Sequence, residues 1–209
     1  MKRLLQKVLT QDQYRTLASF KGKTLPFLRY RLGQSPFLLA GSVVKVLPAN
    51  SKVTVKSGIN VVKKMDYRRR DIFLNIDSDM EYRVRLNSCK KEPDTVEWIE
   101  TSLKDGDVLY DVGANVGAYS LVASKFFDGK VQVFAFEPAF LNFAQLCKNL
   151  VTNQCGRSVV PLQVALSDAT GLEDFNYRVL VPGSAVNALG EALDQEGTAF
   201  KPAATLPVV

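Results

Sequence analysis

The chain has 209 residues, of which 46% are hydrophobic and 23% charged, as in an ordinary globular protein rather than a disordered one. It contains no histidine, which excludes serine–histidine hydrolysis, histidine metal sites and imidazole proton transfer. Its three cysteines are odd in number and lack metal-ligand spacing. No apolar stretch reaches the roughly 18–20 residues that span a membrane. These features predict a reduced, cytoplasmic chain without a bound metal.

Charge divides the chain into two parts. Residues 1–70 contain 16 Lys or Arg against two acids, a net charge of +14, whereas residues 71–209 carry a net charge of −8. We therefore predict a basic N-terminal extension over 1–70 and an α/β domain over 71–209. Apolar residues recur at helical spacing in 2–20, which favours an amphipathic basic helix. Such an extension could attach the chain peripherally to an anionic membrane surface, with nucleic acid a less favoured partner and a solvated arm an equal alternative.

Short alternating segments precede the glycine-containing part of the chain. Residues 52–64 alternate around Ser57-Gly58 and predict short strands. Residues 71–76 and 82–86 also alternate, with a turn at 77–79, and predict a β-hairpin. The sequence Asp94-Thr-Val-Glu97 is typical of a helix N-terminus and predicts a helix over 96–103.

A βαβ series follows. The predicted strands are 108–111, 131–137 and 159–166, and the helices between them are 118–127 and 141–153. Helical crossovers make the three strands parallel and place them side by side in chain order, so that the first strand has no neighbour on its other side. Residues 169–204 are rich in Gly, Ala and Pro, which favours an extended loop with a short helix at 185–193. A last strand is predicted at 205–209.

The first strand of this series ends in an acid and a glycine turn. Asp111 is followed by Gly113 and Gly117, which allow a tight turn and close approach of a ligand to a helix N-terminus. The spacing is not the Gly-x-Gly-x-x-Gly of dinucleotide sites, and Asp111 would repel a pyrophosphate but attract a cationic amino group. Glu137, 26 residues on, ends the next strand and is placed to accept from ribose hydroxyls.

Two interpretations of these acids remain open. A nucleoside joined to an amino acid, such as S-adenosylmethionine, would satisfy both Asp111 and Glu137. The alternative is structural: Asp111 caps a helix, Glu137 ends a strand, and the glycines are turn residues only.

Four motifs in order resemble the FkbM-type S-adenosylmethionine-dependent methyltransferases. They are Asp-Val-Gly-Ala-Asn-Val-Gly at 111–117, Phe-Glu-Pro at 136–138, Asn149 with Asn153, and Ala-Leu-Ser-Asp at 165–168, and the resemblance covers roughly residues 94–209. It implies that the methionine end of the cofactor is held by Asp111, Gly113, Ala114, Asn115 and Gly117. It further implies that Glu137 holds the ribose and Asp168 the adenine.

The resemblance implies a fold and an activity as well. The fold is α/β, an incomplete Rossmann-like class I methyltransferase sheet with its first three parallel strands, preceded by the basic extension and a hairpin. The activity is O-methylation of a sugar or other small metabolite. Family motifs expected after residue 168, a Leu/Ile-Asp-Asp stretch and Lys-Ile-Asp-x-Glu/Asp-Gly, are missing, so we expect a fragment that is inactive alone, and no catalytic base is predicted. The alternative is a noncatalytic, degenerate module with an anion-binding N-terminal segment.

Overall fold

A computed structural model describes residues 44–209, so the predicted helix over 2–20 lies outside the described residues. The chain divides into two units, Met1–Ile59, described only from residue 44, and Asn60–Val209. Within the described part of the first, Ala49–Gly58 forms helix α1, which has no buried residue. Of the short strands predicted over 52–64, the part over 52–58 is therefore wrong, whereas residues 62–64 do form a strand. Alternation indicates a strand only when one face is buried, and here neither face is. In the described part of the chain, no helix has the length and apolar character needed to cross a bilayer.

The second unit begins with an antiparallel pair of short strands. Strand β1 (Val62–Lys64) pairs with β2 (Phe73–Asn75). An antiparallel hairpin is thus present, but not between the predicted strands: residues 71–76 contain β2, whose partner is β1 at the end of the segment 52–64. The strand predicted at 82–86 is wrong, because helix α2 (Asp79–Arg83) and a 3-10 turn (Arg85–Asn87) occupy that part of the chain.

A local cap explains why residues after 78 are helical. The Ser78 hydroxyl accepts from the Glu81 amide at 3.0 Å, and the Glu81 carboxylate accepts from the Asp77 amide at 2.8 Å. This reciprocal arrangement resembles a capping box, whose Ser-x-x-Glu signature is present in the sequence and outweighs the alternation that follows it.

Two further helices lead to the main sheet. Helix α3 is Ser88–Lys91 and helix α4 is Pro93–Ser102. The helix predicted near Asp94 is confirmed, but it begins earlier, at Pro93, because proline is well suited to the first helical position.

The main sheet has the predicted topology. Strands β3 (Val108–Val112), β4 (Gln132–Phe136) and β5 (Val159–Leu162) are parallel and lie side by side in that order. Helices α5 (Ala118–Phe126) and α6 (Phe140–Asn153) make the two crossovers. Strand β5 is shorter than predicted, ending at Leu162.

One face of this sheet is covered and the other is open. Leu109 points to the helix-covered face and is buried with Leu121 of α5 and Leu146 of α6. On the opposite face Val108, Tyr110 and Val112 are 52%, 64% and 62% exposed. The prediction that β3 forms the sheet edge is confirmed for the described residues.

A second, antiparallel sheet replaces the predicted loop. It consists of β6 (Glu173–Tyr177), β7 (Ala188–Leu189) and β8 (Ala204–Val208), in the order β7-β6-β8. The extended loop over 169–204 and the helix over 185–193 are therefore wrong. Phe175 and Tyr177 alternate in β6 and are buried together with Ala139, which gives this sheet its own small core. The last strand is confirmed, and it pairs with β6.

Candidate cofactor site

The two acids singled out from the sequence lie at neighbouring strand ends. In the parallel register, Asp111 of β3 is opposite Ala135 of β4, and Glu137 follows the last residue of β4. The Glu137 amide donates to the Leu162 carbonyl at the end of β5. Open α/β sheets bind ligands at this carboxyl edge.

The loop of residues 113–117, here named the glycine loop, folds over the end of β4. The amides of Gly113 and Ala114 both donate to the Phe136 carbonyl at 2.9 Å, and the Asn115 amide donates to Glu137 Oε2 at 2.7 Å. These three amides are therefore engaged within the protein. Gly113 has a φ of +77°, and no atom lies within 4 Å of the position that a Cβ would take there. This open space lets a ligand approach the backbone.

Gly117 serves a different purpose. Its φ is +83°, and a Cβ at this position would overlap Leu146 Cδ1 of α6. The absence of a side chain thus allows α6 to pack directly against the loop.

Asp111 is bound to the start of helix α5. Strand alternation directs its side chain to the helix-covered face, where the Ser120 hydroxyl donates to Asp111 Oδ2 at 2.5 Å. Burial raises the pKa of Asp111, and hydrogen bonds from the Ser120 side chain and backbone oppose that shift. Asp111 therefore does bind the first turn of helix α5, as the structural interpretation predicts. A ligand role would be additional to it.

Glu137 is almost fully buried, at 4% exposure. Besides the Asn115 amide it accepts from the Ala139 amide at 2.9 Å and from Asn142 Nδ2 at 3.4 Å. Burial raises the pKa of Glu137, while these hydrogen bonds and the positive charge of Arg85 act in the opposite direction.

A buried polar stripe on α6 supports the loop from behind. Its members recur at helical spacing and are each at most 3% exposed: Asn142, Gln145, Asn149 and Asn153. Asn149 Nδ2 donates to the Val116 carbonyl, and its Oδ1 accepts from the Asn75 amide, so it joins the glycine loop to β2. The sequence motifs include Asn149 and Asn153, but they do not include Asn142 and Gln145. Polar residues at this period on an otherwise apolar helix are the signal that could have identified them.

The segment 182–184, here named the clasp segment, closes over the glycine loop. Its three carbonyl oxygens accept from the Ser78 hydroxyl, from Arg85 Nε, and from the side-chain amides of Asn115 and Asn142, over 2.7–3.0 Å. Its middle amide donates to Asn142 Oδ1 at 2.8 Å. Nothing local in the sequence indicated this contact between distant segments.

Asp168 stands apart from these contacts. It is exposed and lines a cleft of about 500 Å³ together with Leu166, Leu172, Leu189 and Val208. In the described structure it makes no hydrogen bond to the glycine loop or to Glu137.

The chemistry of this edge fits S-adenosylmethionine. Asn115 Oδ1 is buried and accepts no hydrogen bond from any described residue, so the loop presents an acceptor that needs a donor. An ammonium group and ribose hydroxyls are donors of the kind that the acceptors of Asn115, Asp111 and Glu137 require.

Parallel strands joined by helices, with acids at adjacent strand ends and a glycine loop between them, form a Rossmann-like βαβ unit, the arrangement that the resemblance to class I methyltransferases implies. No protein-family model matches the chain. It is 32% identical over 87 residues to the hexuronic acid methyltransferase AglP of Haloferax volcanii, covering 42% of this chain and 34% of the relative. It is 41% identical over 75 residues to the 31-O-demethyl-FK506 methyltransferase FkbM of Streptomyces tacrolimicus, covering 36% and 28%. It is 31% identical over 83 residues to the methyltransferase sdnD of Sordaria araneosa, covering 40% and 32%.

These matches confirm a resemblance to FkbM-type methyltransferases over part of the chain, and each spans about a third of the relative's length. Among solved structures, the Pyrococcus horikoshii TYW2 complex with MeSAdo superposes on 54% of this chain and 38% of its own, at 20% identity and a TM-score of 0.40.

Proposed function

We propose that this chain carries the cofactor-binding part of an S-adenosylmethionine-dependent methyltransferase that O-methylates a hydroxyl of a sugar or other small metabolite. The observation that supports it best is the pair of acids, Asp111 and Glu137, at adjacent strand ends on either side of a glycine loop with an unsatisfied acceptor. The names of two relatives give a hexuronic acid and 31-O-demethyl-FK506 as the compounds methylated, which supports the acceptor class.

In this proposal each residue has a defined task. The methionine end of the cofactor contacts Asp111, Gly113, Ala114, Asn115 and Gly117; the ribose contacts Glu137; and the adenine enters the cleft beside Asp168. When bound, the cofactor supplies a methyl group activated on a sulfonium. The protein binds and orients it and keeps water out. No residue is assigned as the catalytic base.

Titration calorimetry with S-adenosylhomocysteine tests the ribose assignment. Glu137→Ala should weaken binding by ~1–3 kcal/mol, because the hydroxyl partner and two backbone amides lose their acceptor. Glu137→Gln should weaken binding less, since it keeps one oxygen acceptor in the same place.

Glu97→Gln is the matched control, because Glu97 is exposed on α4 and its side chain makes no hydrogen bond or ion pair with any described residue. It should bind as the wild type does. If Glu137→Ala also binds like the wild type, the ribose assignment is wrong.

The noncatalytic alternative rests on charge. The +14 of residues 1–70 supports attachment to an anionic membrane surface, with the α/β domain acting as a binding module. The two proposals differ in whether methyl transfer accompanies cofactor binding.

A further inference from the structure

Arg85 differs from the other arginines of the described residues, which are all exposed. It begins the 3-10 turn after α2, is partly buried, and donates from Nε to the Gly183 carbonyl at 2.8 Å. No carboxylate in the described part of the chain lies within 4.0 Å of its guanidinium. The Nη1 and Nη2 groups have no acceptor there either, and they keep contact with solvent. The half-buried guanidinium thus leaves its two terminal nitrogens, Nη1 and Nη2, free to bind a ligand.

The contacts of the clasp segment place the Arg85 guanidinium beside the candidate cofactor site. Gly183, which holds Nε, is bonded through its amide to Asn142, and Asn142 in turn donates to Glu137. Tyr119, in the first turn of α5 directly after the glycine loop, and Glu137 both act electrostatically on the Arg85 guanidinium. Arg85 is therefore bonded directly to the clasp segment, whose next residue, Ser184, accepts from the Asn115 side chain of the glycine loop.

The nearby acids do not neutralise Arg85 by direct contact. Both carboxylate oxygens of Glu81 are already occupied, by Gln145 Nε2 at 2.7 Å and the Asp77 amide at 2.8 Å. Burial lowers the pKa of Arg85, an effect that the surrounding acids oppose, and an arginine stays protonated at neutral pH. The acids that act on it, Glu137, Glu92 and Glu81, make no ion pair with it, so its guanidinium can still bind an anion from outside the chain.

We propose that Arg85 binds a carboxylate in this site, namely the carboxylate of the amino-acid end of the cofactor. This inference rests on the proposed function and extends it. An amino-acid end carries both an ammonium and a carboxylate, and the acceptors of Asp111 and Asn115 suit only the ammonium. The planar guanidinium fork matches the two oxygens of a carboxylate. A carboxylate on the methyl acceptor has the same chemistry and is the other possible source.

The test compares two ligands that share a nucleoside, using calorimetry on the full chain. S-adenosylhomocysteine has the amino-acid end, and 5′-methylthioadenosine lacks it. Arg85→Met should weaken S-adenosylhomocysteine binding by about 10- to 100-fold and leave 5′-methylthioadenosine binding unchanged. Arg85→Lys should fall between wild type and Arg85→Met. Arg157→Met, which removes an exposed arginine before β5 at the opposite edge of the sheet, is the matched control.

Each other outcome has a definite meaning. Equal weakening of both nucleosides would show that Arg85 only supports the clasp segment, and would overturn the inference. If Arg85→Met leaves S-adenosylhomocysteine binding unchanged, glucuronate is titrated into the S-adenosylhomocysteine complex. Loss of glucuronate binding in Arg85→Met would mean that Arg85 binds a carboxylate of the methyl acceptor. Retained glucuronate binding would overturn the proposed carboxylate site. A wild-type chain that binds neither nucleoside would refute the proposed function and this inference with it.

Discussion

Gly117 offers a sharp test of how the loop and helix α6 fit together. Alanine at this position must adopt a φ of +83°, which costs an L-residue roughly 1–2 kcal/mol. Its Cβ would also overlap Leu146 Cδ1, and Leu146 is fully buried, so its side chain cannot swing into solvent. Overpacking of this kind costs about 1–3 kcal/mol. We therefore expect Gly117→Ala to lower the free energy of unfolding by about 2–5 kcal/mol, out of the ~5–15 typical of a domain.

Gly113→Ala separates the two contributions. Gly113 has a similar φ, +77°, but no atom lies within 4 Å of its Cβ position, so only the backbone cost applies. Urea denaturation followed by circular dichroism should rank wild type above Gly113→Ala and Gly113→Ala above Gly117→Ala, with unchanged m-values. The double variant Gly117→Ala/Leu146→Ala should be less unstable than the sum of its single variants, because the overlap is gone. Equal losses for the two glycines, or strict additivity with Leu146→Ala, would refute the packing explanation.

Two further measurements address charge. Because burial raises the pKa of Asp111, the folded state holds that proton more tightly than the unfolded state, and stability is lost as pH rises from the ordinary carboxyl pKa through the raised one. Asp111→Asn should therefore be more stable than wild type near neutral pH, with the gap shrinking in acid; a gap independent of pH in urea titrations would contradict this. The basic segment 1–70 should cosediment with anionic vesicles at low salt and be released as salt rises. Absence of binding at low salt, both to vesicles and to RNA in a gel shift, would leave a solvated arm as the better explanation.

The βαβ core could be predicted because its signals are local. Apolar strand runs, the glycine turn after Asp111 and the long crossovers each act over a few residues, and parallel strands joined by helices have few possible arrangements. The position of Glu137 beside the glycine loop follows from that topology alone.

The antiparallel sheet could not be predicted in the same way. Strands β6 and β8 are separated by 26 residues, and β7 is only two residues long. Their pairing depends on packing of Phe175 and Tyr177 against Ala139 at the start of α6, which is a contact between distant parts of the chain. The clasp segment lies in the loop between β6 and β7, so its contacts with Arg85 and Asn142 could not be predicted from the sequence either.

The helix at 79–83 is a different kind of error. Its capping signal, Ser78 followed by Glu81, is present in the sequence and determines the structure there, whereas alternation over only five residues, 82–86, is the weaker signal.

The contacts of Glu137 bear on how one carboxylate can serve both fold and ligand. A carboxylate has about four lone-pair sites, and Glu137 uses three: for the Asn115 and Ala139 amides and, at a longer 3.4 Å, for Asn142 Nδ2. The two short bonds hold the glycine loop and the start of α6 whether or not a ligand is bound. In the proposed function, a ribose hydroxyl would take the remaining site or replace the long bond, and the loop would stay in place. Since Asn142 also binds the clasp segment, it has other partners if that long bond is lost, and the acid is preorganised at little cost to the fold.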